Sequence, residues 1–287
     1  PKALRFFNRK EGQMSKRELS LKEIQLTELE LLKKFDKICS ENNIEYSLAG
    51  GSMLGAVRHH GMIPWDDDID VYLKRPDYEK LMSLKYEDER YEIKSYRYTK
   101  GYYYPFAKMV DKTTSICEDW RAEKGMGLFL DIFPIDCFNI NAPAEEREKI
   151  FEDITKKSDR WIMFSYLLGH KLSHHRQFSP RYFAKLALRT ATLPFRKAII
   201  THADMRLAGC EKGNYYGYLF QHVQKIPFVP AKAFSSVVYM DFDGIKAPVY
   251  VGYDEILTQQ YGDYMTPPPD DKRTSGHWFK VYKNDEV

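Results

Sequence analysis

Four of the five residues in Asp66-Asp67-Asp68-Ile69-Asp70 are acids. Folding them together calls for a compensating cation or for full solvation, because like charges disfavour one another's ionised form. On a strand, Asp68 and Asp70 share a face, since side chains alternate with period two, while Ile69 and Val71 turn to the core and fix the register. Two carboxylates held side by side in this way make a hard-oxygen site for Mg2+ or Mn2+. For the two acids alone, a solvated acidic turn is the plainer alternative.

The residues upstream change that balance. Gly50-Gly51-Ser52 lies between a short strand and a short helix, where backbone N–H groups and a helix N-terminus form an anion site. A phosphate-cradling turn followed by a two-carboxylate strand is what phosphoryl transfer requires: one part holds phosphates, the other holds the metals that neutralise developing charge. A third carboxylate is expected from a neighbouring strand. Asp131 sits in the apolar run Gly127-Leu128-Phe129-Leu130-Asp131-Ile132-Phe133-Pro134. Burying an unpaired carboxylate is costly, so Asp131 is either hydrogen-bonded as a structural group or faces the metal; the second reading is favoured. Asp136, just past Pro134, reads as a helix cap or turn residue.

These groups need elements to hold them. Residues 1–19 read as a basic, aperiodic arm. From Ser20 to about Ser40, Ile24, Leu29, Leu31, Leu32, Phe35 and Ile38 recur at helical spacing. Tyr46–Ala49 reads as a strand, Met53–Val57 as a brief helix, and Ile69–Tyr72 as a second strand. Pro76 opens a helix. Further strands are expected at Tyr91–Ser95, Phe106–Val110 and Gly127–Phe133, and Pro143 introduces a helical region to about Leu168. Val237–Asp241 and Ile245–Tyr250 flank Asp243-Gly244, a hairpin signal. A helix at Tyr253–Gln260 and a tail with Pro267-Pro268-Pro269 follow. The expected fold is α+β, a mixed sheet flanked by helices with an inserted helical region. The expected division is an arm (1–19), a catalytic core (20–140), a helical basic-aromatic region (141–225) and a C-terminal part that completes the core (226–287).

Composition narrows the functions. A net charge of +3 over 287 residues is too mild for wholesale nucleic-acid binding. The 21 Tyr and 17 Phe suit contacts to sugars, quaternary ammonium groups or a membrane interface, and equally a Tyr-rich core. Cys39, Cys117, Cys137 and Cys210 form no CxxC pair, which argues against a zinc site or a disulfide framework. The start shows no signal-peptide pattern, and no stretch approaches the roughly 18 apolar residues of a membrane span. The expected location is cytoplasmic. Between Lys156 and His202 the chain carries ten Lys and Arg and a single acid, Asp159, interleaved with aromatic residues. That segment is either a peripheral platform for the inner face of the plasma membrane or a helical cap with a solvated positive face.

The long run Leu48-Ala49-Gly50-Gly51-Ser52-Met53-Leu54-Gly55-Ala56-Val57-Arg58-His59-His60-Gly61-Met62-Ile63-Pro64-Trp65-Asp66-Asp67-Asp68-Ile69-Asp70 resembles the signature of the LicD family. The resemblance continues in Asp131-Ile132-Phe133-Pro134 and in Tyr261-Gly262-Asp263-Tyr264-Met265, Pro267-Pro268, Arg273 and His277. It spans roughly residues 21–140 and 225–279, leaving the middle region unmatched. It implies a nucleotidyltransferase-like fold of the polymerase-β superfamily, with fukutin and fukutin-related protein as relatives. The zinc-binding cysteine insertion of those animal relatives has no counterpart here.

The resemblance implies transfer of phosphocholine from CDP-choline to a sugar hydroxyl of a teichoic-acid or lipopolysaccharide precursor, a lipid-linked glycan. Mg2+ or Mn2+ on Asp68, Asp70 and Asp131 would hold the diphosphate, with a carboxylate such as Asp131 taking the hydroxyl proton. Gly51, Ser52, Arg58, Trp65, Asp66, Lys108, Arg273 and His277 are the candidate substrate contacts. Trp65, Tyr102, Tyr103, Tyr104 and Trp120 are available for a choline cage. Another alcohol phosphate (ethanolamine, glycerol or ribitol phosphate) is the nearest rival. A non-catalytic nucleotide- or glycan-binding module is the rival from another class, against which the intact Asp68, Asp70 and Asp131 argue.

Overall fold

The computed structural model describes residues 17–102, 104–118, 121–122, 126–143, 145–154, 156, 180–207, 213–218, 228–275 and 279–284. These begin with a two-residue strand, β1 (Arg17–Glu18), and a long helix, α1 (Leu21–Glu41). Ser20 starts α1 through a reciprocal cap. Its hydroxyl accepts from the Glu23 N–H, and its own N–H donates to the Glu23 carboxylate at 3.0 Å. Ile24, Leu29, Leu31, Leu32, Phe35, Ile38 and Cys39 form the buried stripe of α1, and one acid, Glu28, is buried with them.

β2 (Ser47–Leu48), α2 (Gly50–His59), β3 (Ile69–Lys74), α3 (Arg75–Leu84), β4 (Tyr91–Lys94), β5 (Ala107–Asp111), β6 (Thr114–Glu118), β7 (Arg121–Ala122) and β8 (Phe129–Phe138) follow. Helices at 145–154 (α4), Pro180–Thr192 (α5) and Arg196–Leu207 (α6) come next. β9 (Tyr215–Gly217), β10 (Val229–Pro230), β11 (Val237–Phe242), β12 (Ile245–Tyr250), α7 (Tyr253–Tyr261) and β13 (Phe279–Lys283) complete the described chain. The fold is α+β, as expected.

The central sheet is built on β3 and β8, which run parallel with Asp70 opposite Asp131. β2 lies antiparallel beside β3, and β5 and β4 extend the sheet beyond β8. Both faces of β3 and β8 are covered, so their residues are buried almost without interruption rather than in alternation. β8 also runs further than the sequence suggested. Its first half pairs with β5 through Ile132 and its second half with β9 from Asp136. Pro134 falls in the gap between these partners, where a missing N–H costs the edge ladder nothing.

Asp136 is therefore a strand residue and not a cap or turn. It is 1% exposed and accepts a two-pronged bond from Arg75 of α3, at 2.8 and 2.7 Å. Arg75 also contacts the buried Asp204 of α6 at 2.9 Å, and Arg97 holds the same carboxylate at 2.8 Å. This network ties α6 to the core.

A second, antiparallel sheet in the order β1-β13-β6-β7 joins the two ends of the described chain. Arg17 pairs with Lys283, and the Leu19 N–H donates to the Val281 carbonyl at 2.8 Å. Residues 17–19 thus belong to the folded body and not to a basic arm; residues 1–16 lie outside the described residues. β11 and β12 form the expected hairpin, with Asp243 at φ +47° and Gly244 at φ +83° in its two-residue turn. Much of the tyrosine excess serves the core: Tyr72, Tyr78, Tyr218 and Tyr250 are fully buried. No helix among the described residues is long and apolar enough to cross a membrane.

Candidate active site

The register of the sheet assembles the site. Asp70 on β3, Asp131 on β8 and Lys108 on β5 occupy one row across three adjacent strands. In-register neighbours project to the same face, so the three side chains meet there. Lys108 Nζ donates to Asp131 Oδ1 and lies 3.3 Å from the Phe129 ring centroid. Lys108 is 4% exposed and Asp131 7%, so this is a buried pair.

The Asp66–Asp68 loop packs beside this row. One carboxylate oxygen from each of Asp66, Asp67 and Asp68 lies within 4.8 Å of the others. Three contacts hold the loop. Gln25 of α1 donates Nε2 to the carbonyls of Ile63 and Asp66, at 3.3 and 3.0 Å. Gly51 allows the close approach of α2, since a Cβ there would stand 2.8 Å from Asp66 Oδ2. The third comes from the hairpin turn, where Asp243 Oδ2 accepts the Met62 N–H at 2.8 Å. Ser52 is tied to the strand: its Oγ accepts the Asp70 N–H at 2.9 Å. Gly51 and Ser52 therefore stand at the start of α2, directly against the acids.

The electrostatics follow from this crowding. Burial, then the charges of Asp68 and Asp67, push the Asp66 carboxyl up to about 8. Burial, then Asp68, Asp131 and Asp66, raise Asp70 well above the ordinary range, with Lys108 opposing. Tyr261 of α7 faces the same group; burial, then Asp70, Asp66 and Asp68, raise its phenol.

A further carboxylate was not anticipated. Glu28 of α1 is 0% exposed, and neither of its oxygens has a hydrogen-bond partner. Its pKa is raised by burial first and then by Asp68, Asp131 and Asp70, which places it against the row. The signal was present in the helical pattern, because Glu28 interrupts the apolar stripe at Ile24, Leu31, Leu32 and Phe35.

The residues present fit a hard divalent cation. The donors are carboxylate oxygens, they exceed the local cations in number, and Glu28 is buried without a partner of its own. The three acids whose oxygens converge are Asp66, Asp67 and Asp68; Asp70 and Asp131 adjoin them and complete the set that could hold the ion.

Beside the acidic loop lies a basic patch. The Arg273 guanidinium is 5.3 Å from the centroid of Trp65, and His59 meets the same ring edge-on with centroids 6.0 Å apart. Arg58 donates to the Tyr264 carbonyl and, at 3.0 Å, to His59 Nε2. Burial, then the Arg273 charge, lower the Arg58 pKa, and His59 is lowered by burial and then by both arginines. Two guanidiniums that repel one another make a site for an anion. A cavity of about 400 Å3 adjoins, lined by Trp65, Asp67, Arg273, Lys280, Glu18 and neighbours.

Arg58, Trp65 and Arg273 are thus brought together, whereas Lys108 is placed with Asp131. Of the aromatic cage candidates, Trp65 already carries Arg273 on its ring. Tyr102 is buried with its hydroxyl donating to the Phe106 carbonyl at 2.9 Å, and Tyr104 lies under Lys108. Tyr103, Trp120 and His277 lie outside the described residues.

A mixed sheet with acids on two parallel neighbouring strands, a glycine-led helix start against them and two arginines nearby is an arrangement suited to chemistry on phosphates. Residues 43–185 match the family model described as LicD/FKTN/FKRP, nucleotidyltransferase domain. The chain is also 32% identical over 285 residues to the lipopolysaccharide cholinephosphotransferase LicD of Haemophilus influenzae, covering 93% of this chain and 99% of that protein. A shorter likeness, 44% over 48 residues and 17% of the chain, joins it to an uncharacterized protein of Rickettsia prowazekii. The chain belongs to the LicD family, and it is a transferase.

Proposed function

We propose that this enzyme transfers phosphocholine from CDP-choline to a sugar hydroxyl of a lipid-linked bacterial surface-glycan precursor, of lipopolysaccharide or teichoic acid. The observation that carries the reading is the pairing of an acidic row, Asp70 and Asp131 beside Asp66–Asp68, with the Arg58–Arg273 cation pair across Trp65. The whole-length likeness to a cholinephosphotransferase supports choline as the alcohol.

Mg2+ or Mn2+ on Asp68, Asp70 and Asp131 would neutralise the diphosphate and the departing CMP. Arg58, Arg273 and the N–H groups at the start of α2 would orient the phosphates. The acceptor oxygen attacks the choline-bearing phosphorus. The bond to the bridging oxygen breaks, CMP leaves, and the hydroxyl proton passes to a carboxylate, for which Asp131 is the candidate.

The acceptor's lipid suggests where the reaction takes place. Phe183, Leu188 and Phe195 on and just after α5 are exposed, in a segment whose sequence is strongly basic. Such a face suits an anionic membrane surface, consistent with peripheral contact at the inner leaflet.

Thermal protection and turnover with CDP-choline, CDP-ethanolamine, CDP-glycerol and CDP-ribitol, each with and without Mg2+, test the donor. CDP-choline should protect most, only with the metal, and should release CMP when acceptor is added. Equal protection by CDP-choline and CDP-glycerol would remove the case for choline and leave the family assignment alone.

A further inference from the structure

Glu28 is the buried acid that the proposed chemistry leaves unused. It occupies a place in the α1 stripe where an aliphatic residue would complete the core, yet it carries a carboxylate with both oxygens unbonded. A bare carboxylate in such a place is strongly destabilising unless a cation comes to it. α1 lies across β5 and β8, the strands that carry Lys108 and Asp131, and the charged groups that act on Glu28 are Asp68, Asp131, Asp70 and Lys108, with Lys108 the cation among them.

Lys108 is suited to move. Its ammonium has three donors, and the bond described for it goes to Asp131. Among the described residues, the ring faces of Phe129, Tyr104 and Phe106 also surround it, with centroids 3.3, 5.0 and 5.1 Å from Nζ. Those faces tolerate a cation without fixing its direction. A divalent cation bound through Asp131 draws on the carboxylate that Lys108 now holds, and the two cations repel. The ammonium cannot leave for water, because Lys108 is 4% exposed.

We propose that Glu28 is a positioning residue that receives the Lys108 ammonium when a divalent cation takes Asp131. Loading the site then exchanges one buried ion pair for another. This rests on the divalent-cation reading of the acidic row, and it explains why an acid interrupts an otherwise apolar helix face.

The test is Mn2+ binding to the full chain without donor, by equilibrium dialysis or electron paramagnetic resonance. Glu28→Gln should weaken Mn2+ by about ten- to a hundredfold, the usual cost of losing a partner that orients a ligand. Lys108→Gln should bind Mn2+ at least as tightly as wild type, because its competitor for Asp131 is gone. In the Glu28→Gln/Lys108→Gln double variant, affinity should return to that of Lys108→Gln, since Glu28 then has nothing to receive. Glu28→Leu, which completes the apolar stripe, should raise the melting temperature in EDTA while binding Mn2+ as weakly as Glu28→Gln.

A double variant as weak as Glu28→Gln overturns the exchange and makes Glu28 a direct ligand. Unchanged Mn2+ affinity in Glu28→Gln and Glu28→Leu overturns it as well. Asp70→Asn separates the premises: if that variant binds Mn2+ normally, the cation site itself is misassigned and the exchange falls with it.

Discussion

Replacing Asp70 by Asn removes a charge that the apoprotein bears at a cost and that catalysis needs. Asp70 is 7% exposed and stands opposite Asp131 on the adjacent parallel strand. Neighbouring strands lie about 4.8 Å apart, so at an effective dielectric of about 20 two carboxylates at that spacing repel by about 3 kcal/mol. The ammonium of Lys108, one strand further at roughly 10 Å, offsets about 2 kcal/mol of this. Asp68 adds repulsion of its own. Asp70→Asn should therefore stabilise the metal-free protein by about 1–3 kcal/mol, a rise of several degrees in Tm for a domain of this size. The same change removes a cation ligand whose contribution to the transition state is several kcal/mol, so turnover should fall about a thousandfold or more. CMP release from CDP-choline at saturating Mg2+ gives the second quantity, and thermal melting in EDTA the first. Turnover above one-tenth of wild type, or a lower Tm in EDTA, would refute the reasoning.

Protonation of the acidic row gives a pH dependence of definite sign. Asp66 is raised to about 8, and Asp70 and Glu28 are raised as well. A raised carboxyl contributes stability that is complete below its unfolded pKa near 4 and is lost as pH rises through the folded value. Melting in EDTA should therefore fall between about pH 5 and pH 8.5, and saturating Mg2+ should reduce that fall; a Tm in EDTA that climbs over this range contradicts it. Arg58→Gln and Arg273→Gln should each raise the KM for CDP-choline by about tenfold to a hundredfold, the worth of one charge-assisted hydrogen bond. Unchanged KM in both would take phosphate binding elsewhere. Changing Arg181, Lys185 and Arg189 together to Gln should reduce binding to phosphatidylserine vesicles at low salt and slow transfer to a lipid-linked acceptor. A wild-type protein that ignores such vesicles leaves the basic face as a solvated cap.

What the sequence determined by itself was local. The period of α1, its Ser20–Glu23 cap and the Asp243-Gly244 turn are set by residues a few positions apart, so spacing and turn chemistry suffice to place them. The acidic run and the glycines ahead of it were legible for the same reason, since each is one short run of residue types, but only Asp70 lies on β3: Asp68 stands in the loop before it, and Gly50, Gly51 and Ser52 open α2 itself instead of forming a turn ahead of it. Tertiary structure alone decided which groups meet. The row Asp70–Asp131–Lys108 depends on strand registers between segments more than twenty residues apart, and a slip of one residue would turn a side chain to the other face. β1 has two residues, too few for a period to register, so its pairing with β13 and the closing of the second sheet could not be read in advance. Pro134 signalled a strand end, and only the change of neighbour from β5 to β9 let β8 continue to Asp136 and its pair with Arg75. Glu28 shows the division most directly. Its position on the helix is written in the sequence, but its burial without a partner, beside three acids and a lysine, exists only where α1 lies across the sheet.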